Sequence, residues 1–214
     1  MRGVIFCLLI SLIGFSQNEN DWQLYKNENG IAIYSRKANN SNIKQLKTVV
    51  ILNTSLNSIV ALINDWDSYP EWNYRCGESK TLKVISPTEL IHYQTVITPW
   101  PVDHQDFIIN VKLTQDDKTK IVTITSTNNP NYIPPYPKTT RIKELEAKWT
   151  LTPLKDGKVQ AVYEFFVNPG GFVPAWILNA AVAYGPYETM LNFKQWVQKE
   201  KYQKSKNPLI KELN

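Results

Sequence analysis

The clearest hydrophobic pattern in the chain is a strict alternation of apolar and polar residues in its later part. Apolar side chains alternate with charged or hydroxyl side chains over residues 144–152, and the same period returns over residues 159–167. The segment between them contains Asp156-Gly157, a pair typical of tight hairpin turns. A period of two indicates β-strands with one buried and one solvated face. These two segments are therefore predicted to form an antiparallel hairpin.

Shorter runs of the same kind predict strands along most of the chain. They lie at residues 31–34, 43–52, 82–85, 90–97, 106–113 and 120–126. Turn-forming residues such as Asn, Gly, Ser and Pro separate most of these runs. In the run at 106–113, one face is apolar and consists of Phe107, Ile109, Val111 and Leu113. The other face is polar and carries Asp106, Asn110 and Lys112. An antiparallel meander is expected.

Two segments change to a helical period. The first has Leu56, Ile59, Val60 and Ile63 at the i, i+3, i+4, i+7 spacing of a one-sided helix, after N-capping residues at 53–55. The second is almost entirely apolar over residues 172–184 and becomes amphipathic over residues 187–202. Gly185-Pro186 lies between the two halves, where a Pro usually kinks a helix. The predicted fold class is α+β, with a curved antiparallel sheet wrapped around a long C-terminal helix.

The first residues have the layout of a signal peptide. A positive start at Arg2 is followed by an apolar run over residues 4–15, and Gly14 and Ser16 occupy the positions that a signal peptidase reads. The run is too short to span a membrane. Residues 1–16 are therefore predicted to be cleaved off before Gln17, leaving an exported protein, periplasmic or secreted.

Length and charge refine this picture. The chain has 214 residues, without an internal repeat or low-complexity linker, so one domain is expected over residues 21–202, followed by a basic C-terminal tail over residues 203–214. Much of the formal net charge of +5 comes from lysines near the C-terminus. Cations there complement a helix dipole, and weak attraction to an anionic surface is the alternative. No nucleic-acid-binding motif accompanies them, so no nucleic-acid partner is predicted.

Residues that could carry chemistry are few. Cleavage would leave Cys76 as the single cysteine, and no histidine lies near it in sequence, which favours a structural role. The only histidines, His92 and His104, lack the spacing of common zinc sites and are expected at ordinary surface or loop positions. The chain has no Gly-rich phosphate loop and no Gly-x-Ser-x-Gly motif. No catalytic residue, metal site or cofactor is predicted.

Four segments, in order, resemble the START domains of lipid-transfer proteins. The first two are Trp22…Gly30-Ile31…Tyr34 and Asn64-Asp65…Glu71-Trp72-Asn73. The third, Pro99-Trp100-Pro101-Val102 followed by Asp106-Phe107, is similar to that family's PWPv…RDF corner. The fourth is Asn168-Pro169-Gly170-Gly171…Val173-Pro174-Ala175-Trp176, which resembles the entry into the family's lid helix. The resemblance covers nearly all of the mature chain.

The resemblance implies a helix-grip fold in which an internal tunnel holds a lipid and the C-terminal helix acts as the lid, with no cofactor. The expected partner is a lipid or another hydrophobic ligand, and transient contact with a membrane surface would accompany its transfer. Ligand-binding residues are expected on the inner strand faces and the final helix: Phe107, Ile109, Val111, Trp149, Tyr163, Phe165, Trp176, Ala180 and Tyr184.

Some positions depart from the family's pattern. Gln105 replaces the Arg that usually precedes the Asp-Phe pair, although Arg141 matches an Arg that is common in the family. Asp106 is expected to pair with a basic group such as Arg141. Val111 stands where sterol-carrying members have a buried Arg, which favours an apolar lining over a sterol-type polar anchor.

Three functions remain open at this point. The first is lipid binding or shuttling. The second is an enzyme of the wider superfamily acting on an aromatic or polyketide-like ligand, which needs an inward-facing acid–base residue such as Tyr163 or His92. The third is a scaffold with a filled core. The aromatic segment at 66–74 is similarly open, since its rings could pack beneath the first helix or shape the tunnel mouth.

Overall fold

A computed structural model gives the fold and describes residues 22–38, 41–98, 103–137, 139–168 and 184–213. The strands within these ranges are β1 (Gln23–Glu28), β2 (Ile31–Lys37), β3 (Lys44–Leu52), β4 (Cys76–Ser86), β5 (Glu89–Val96), β6 (His104–Gln115), β7 (Val122–Asn128), β8 (Thr139–Arg141), β9 (Glu144–Pro153) and β10 (Val159–Asn168). The helices are α1 (Leu56–Asn64), α2 (Tyr69–Trp72), α3 (Tyr184–Trp196) and α4 (Glu200–Gln203), with a 3₁₀ turn at Trp66–Ser68.

The described strands form one curved sheet in the order β1-β2-β3-β10-β9-β7-β6-β5-β4. All neighbours on this path are antiparallel, and β8 pairs in parallel with β6. The segment that contains α1 and α2 connects β3, third in the order, with β4 at its far edge. The predicted fold class, a curved antiparallel sheet with a C-terminal helix, is confirmed.

Strand β4 is longer than the alternating pattern predicted, because it begins at Cys76 rather than near residue 82. Its first residues are mostly polar and carry no clear alternation. They join the sheet through backbone pairing with β5, in a register that shifts three times along the strand. An edge strand of this kind is defined by its partner more than by its own side chains.

The main core lies between the inner face of the sheet and the helices. Ser55 caps α1 by accepting a hydrogen bond from the Ser58 N–H at 3.1 Å. The helical face predicted for this segment is confirmed, because its four residues Leu56, Ile59, Val60 and Ile63 are all buried. Helix α3 buries Tyr187, Met190 and Phe193 in the same core.

Within the described residues, helix α3 runs through Gly185-Pro186. The predicted apolar half of the C-terminal helix, up to residue 183, lies outside the described residues, as do the predicted signal peptide and the Pro-Trp-Pro corner. Within the described ranges, no helix has the length and apolar character needed to cross a membrane.

A second, smaller core covers part of the sheet's outer face, which the alternation predicted to be solvated. Ile91, Tyr93 and Ile108 are buried there, and Ile133 of the loop after β7 packs against them. Asp106 also faces this side, and its side chain is 0% exposed. Water is excluded from the outer face here because the 129–137 loop folds back over it. A contact between segments so far apart cannot be inferred from the alternation within one strand.

The C-terminal segment packs against the domain rather than leaving it. Ile210 is buried in the main core. The Glu212 carboxylate accepts hydrogen bonds from the backbone N–H groups of Leu56 and Asn57 at 3.1 and 2.9 Å. Lys211 pairs with Asp117 at 2.9 Å. Lys211, one of the lysines near the C-terminus, is therefore engaged in a local ion pair.

Candidate functional site

A cavity of about 350 Å³ lies between the inner face of the sheet and the start of α3. Its sheet wall is formed by inward-facing residues of five neighbouring strands. They are Gln94 and Val96 of β5, Phe107 and Ile109 of β6, Ile124 and Ser126 of β7, Leu145, Ala147 and Trp149 of β9, and Tyr163, Phe165 and Val167 of β10. Each set is spaced by two residues, so it follows directly from the pleat of its strand.

The rings of this wall support one another. Tyr163 and Trp149 are direct cross-strand partners, and their rings stack with centroids 4.4 Å apart. Phe165 continues the stack at 5.2 Å from Tyr163, and Phe193 of α3 lies 5.1 Å from Trp149. Stacked aromatic pairs of this kind add stability beyond their area of burial. The wall is therefore a firm apolar surface.

The opposite wall comes from the segment around α2. Trp66, Tyr69 and Trp72 line the cavity. The Tyr69 hydroxyl donates to the Ile63 carbonyl at 2.9 Å, and the Trp72 Nε1–H donates to Ser68 Oγ at 3.3 Å. Burial raises the pKa of Tyr69 well above its ordinary value, so this phenol stays neutral. Because their polar atoms are engaged by the protein, Tyr69 and Trp72 offer mainly carbon surface to the cavity.

Helix α3 closes the third side, and hydrogen bonds join it to the α2–β4 segment and to the β1–β2 turn. The Tyr74 N–H donates to Thr189 Oγ1 at 3.1 Å, and Asn192 Nδ2 donates to the Trp72 carbonyl at 2.9 Å. On the other side, Asn29 Nδ2 donates to the Tyr187 hydroxyl at 2.6 Å. Gly185, Pro186, Thr189 and Met190 face the cavity from this helix.

The electrostatic character of the site is simple. Among the described lining residues, Arg75 is the only one with an ionised side chain, and it is exposed at the rim. Gln94 and Ser126 contribute neutral polar groups. The described lining is thus apolar with a few hydrogen-bonding groups, the composition typical of a site for a hydrophobic small molecule.

Five of the residues predicted to bind ligand lie together around the cavity, namely Phe107, Ile109, Trp149, Tyr163 and Phe165. Val111 lies on the same face of β6 but is buried in the core and does not line the cavity. Tyr184 is 59% exposed and packs edge-on against Tyr74, with centroids 5.4 Å apart. Trp176 and Ala180 lie outside the described residues. The binding role of all nine stays a prediction.

Several lining residues were not among those predicted. Leu145, Ala147 and Val167 share the strand faces of predicted residues, so alternation alone could have added them. The aromatic residues at 66–74 were predicted either to pack beneath the first helix or to shape the tunnel mouth. Trp66, Tyr69, Trp72 and Tyr74 all line the cavity. No pattern in the sequence indicates that Arg75 and Gln94 line the cavity, because their positions depend on how β4 and β5 meet α2.

The two candidate acid–base residues are both neutral near neutral pH. Tyr163 lines the cavity, and burial raises its pKa to about 12. His92 does not line it: the side chain is fully buried and tilted against Trp66, with centroids 4.2 Å apart. Burial lowers the pKa of His92 to about 3. The expectation of a surface or loop position was therefore wrong for His92, whereas His104 is exposed.

The remaining reactive group is similarly inert. Cys76 is buried, and burial raises the pKa of its thiol to about 12, so the nucleophilic thiolate is scarce. Across the described ranges, no group of three or more His, Cys, Asp or Glu residues is placed to hold a metal ion.

The chain is similar in sequence to known proteins over most of its length. The model of the START domain family matches residues 10–206. An uncharacterized protein of Pseudomonas aeruginosa is 28% identical over 204 residues, covering 93% of this chain and 100% of that protein. The phosphatidylcholine transfer protein of Rattus norvegicus is 26% identical over 175 residues, covering 77% of this chain and 78% of that protein.

A solved structure shows the same architecture. The crystal structure of a STAR-related lipid transfer protein from Xanthomonas axonopodis matches with a TM-score of 0.77 and 26% identity. The match covers 83% of this chain and 99% of that one. The helix-grip arrangement predicted from the sequence motifs is therefore confirmed.

Proposed function

This chain belongs to the START domain family, and on that premise we propose that it binds one lipid or similar hydrophobic molecule in the cavity between its sheet and α3. The observation that carries the proposal is the cavity of about 350 Å³ with its stacked aromatic wall. This volume lies within the range of small-molecule sites, about 300–1,000 Å³. A filled core would leave no such space, so the scaffold hypothesis receives less support.

The affinity would come mainly from burial. A ligand that buries about 200 Å² of apolar surface gains roughly 5 kcal/mol, at about 25 cal/mol for each Å² removed from water. Part of this gain offsets the entropy lost on association. Rigid walls keep that loss small, since rings such as Trp149 and Tyr163 are already stacked before a ligand enters. The neutral hydrogen-bonding groups would then orient the ligand rather than provide its affinity.

We further propose that the bound molecule is carried between membranes outside the cytoplasm, in the periplasm or the extracellular space. The signal-peptide layout of residues 1–16 supports export. The names of two relatives, a phosphatidylcholine transfer protein and a STAR-related lipid transfer protein, support transfer. Release would require α3 and the segment before it to act as a lid, with transient contact with the membrane surface.

Catalysis receives less support from the same geometry. Of the two acid–base candidates, His92 lies behind Trp66 and outside the lining, and Tyr163 holds its proton up to about pH 12. A general acid or base works best with a pKa near the operating pH.

The proposal is tested by a transfer assay with the mature protein. Donor vesicles carry a self-quenched fluorescent phospholipid and acceptor vesicles carry none, so movement of the lipid raises the fluorescence. We expect the protein to accelerate this rise in proportion to its concentration, and cell fractionation to recover it outside the cytoplasm. A rate that stays at the level of vesicles alone, for every lipid in a panel of headgroups, would count against transfer.

A further inference from the structure

The rim of the cavity contains one cationic side chain among its described residues, that of Arg75. Arg75 Nε donates to the Tyr74 hydroxyl at 3.0 Å, and the guanidinium carbon lies 5.3 Å from the centroid of that ring. Within the part of the chain that the structure describes, the two terminal nitrogens of Arg75 have no hydrogen bond and no ion pair. A guanidinium fork of this kind matches the paired oxygens of a carboxylate or phosphate.

The backbone at Arg75 supplies an independent observation. Its φ is 57°, in the left-handed region that residues other than glycine seldom adopt. The turn is fixed from both sides, because the Ile97 N–H donates to the Arg75 carbonyl at 2.8 Å and the Cys76 N–H donates to the Asn73 carbonyl at 3.0 Å. A glycine would adopt this conformation at lower cost.

The strain is not explained by packing, since the Arg75 side chain is exposed and buries little. Residues held in unfavourable backbone regions concentrate at functional sites, where the surrounding structure fixes them. An arginine in this place therefore indicates a use for its charge at the entrance of the cavity.

The interior explains why a ligand's charge would stay at that entrance. All other described lining residues are uncharged, so an anionic group drawn into the cavity would lose its hydration without gaining a counter-ion. At the rim, the same group meets Arg75 and keeps contact with water. Exposed apolar side chains flank this position, with Ile97 46% and Tyr184 59% exposed.

We propose that Arg75 is a specificity-determining residue that binds the anionic group, a phosphate or a carboxylate, of an amphiphile whose apolar part lies in the cavity. The ligand class is thus an anionic or phosphate-bearing lipid rather than a neutral one such as a sterol or an acylglycerol. This inference rests on the proposed function, since it assumes that the cavity takes up a lipid.

The test compares three probes that share one alkyl chain: dodecanoate, dodecyl phosphate and dodecanol. Because the dodecyl chain is the same in all three, the probes differ only in the head group. Their affinities are measured by calorimetry for the wild type, Arg75→Gln and Arg75→Gly. The matched control is Lys155→Gln, which removes a cation from the exposed β9–β10 turn, away from the cavity.

We expect both Arg75 variants to bind at least one anionic probe about three- to tenfold more weakly, while dodecanol changes by less than about twofold. The control should match the wild type for all three probes. A loss confined to dodecyl phosphate or to dodecanoate assigns the anionic group as phosphate or carboxylate. Arg75→Gly should also unfold at an equal or higher temperature than the wild type, because it relieves the backbone strain.

Two results would overturn the inference while leaving the proposed function intact: unchanged affinity for both anionic probes, or an equal loss for dodecanol. A wild type that binds none of the three probes would instead count against the cavity as a lipid site. A lower unfolding temperature for Arg75→Gly, together with unchanged binding, would give Arg75 a structural role only.

Discussion

Arg141 holds the buried Asp106 through a two-pronged ion pair, with Nε 2.7 Å from Oδ1 and Nη2 3.0 Å from Oδ2. The side chains are 8% and 0% exposed. Strands β6 and β8 run parallel and place the two residues at paired positions of the ladder. Nη1 of the same guanidinium donates to the Ile133 carbonyl at 3.1 Å. The pair therefore fixes the loop that covers the outer face of the sheet.

Removing one member of this pair should be costly. Arg141→Met leaves a buried carboxylate without a counter-ion, and we expect the free energy of unfolding to fall by about 3–5 kcal/mol. The double variant Asp106→Leu with Arg141→Met should recover much of that loss, because no unpaired charge remains. Urea denaturation of the wild type, Asp106→Leu, Arg141→Met and the double variant measures the coupling free energy between the two residues.

The outer-face pair Lys148–Glu164 provides the control for that cycle. It is partly exposed, and Glu164→Gln should cost less than about 1 kcal/mol. If Arg141→Met costs no more than Glu164→Gln, then Asp106 and Arg141 do not fix the loop as described here.

His92 should make stability depend on pH. Its pKa is about 3 in the folded protein against an ordinary value of 6.5, because burial disfavours the charged ring. The unfolded chain therefore takes up the proton first as the pH falls. The stabilisation from the neutral ring is complete above pH 6.5 and is lost progressively as the pH falls towards 3. At pH 5 we expect a loss of about 2 kcal/mol.

Urea unfolding at pH 7 and pH 5 measures this loss. His92→Gln should flatten the difference between the two pH values, whereas His104→Gln, at an exposed position, should retain it. An equal pH dependence in the wild type and in His92→Gln would show that other groups cause it.

Glu212 should stabilise α1 from the far end of the chain. Its carboxylate caps two N–H groups at the helix N-terminus and accepts from Asn57 Nδ2 at 2.7 Å. Glu212→Ala should lower the free energy of unfolding by about 1 kcal/mol, as measured by urea denaturation. Glu146→Ala, at an exposed position on β9, should have little effect. Equal effects of the two substitutions would contradict the capping role.

Local periodicity was enough to predict the elements that present the site. The alternation over residues 144–152 and 159–167 identified β9 and β10, and the inward positions Trp149, Tyr163 and Phe165 followed from it. The helical spacing from Leu56 to Ile63 identified α1 and its buried face. These predictions succeeded because the hydrophobic period of a strand or a helix can be recognised within a few residues of sequence.

Features that depend on distant segments could not be predicted in this way. The burial of His92 results from Trp66, which is 26 positions earlier in the chain and packs over its ring. The dry outer face around Ile108 results from the 129–137 loop. The position of Arg75 at the rim depends on a left-handed turn between α2 and β4. The pairing of Asp106 with Arg141 was predicted only because family resemblance suggested the partner.

The central claim, that the cavity holds one lipid, is tested most directly by native mass spectrometry of the mature protein from its own host. The wild type is compared with Ala147→Trp, which fills the cavity from the inner face of β9, and with Thr150→Trp on the outer face of the same strand. The account predicts one hydrophobic adduct on the wild type and on Thr150→Trp, released by organic solvent, and its loss from Ala147→Trp in a folded protein. The same adduct on all three proteins, or none on the wild type even after incubation with a panel of lipids, would contradict it.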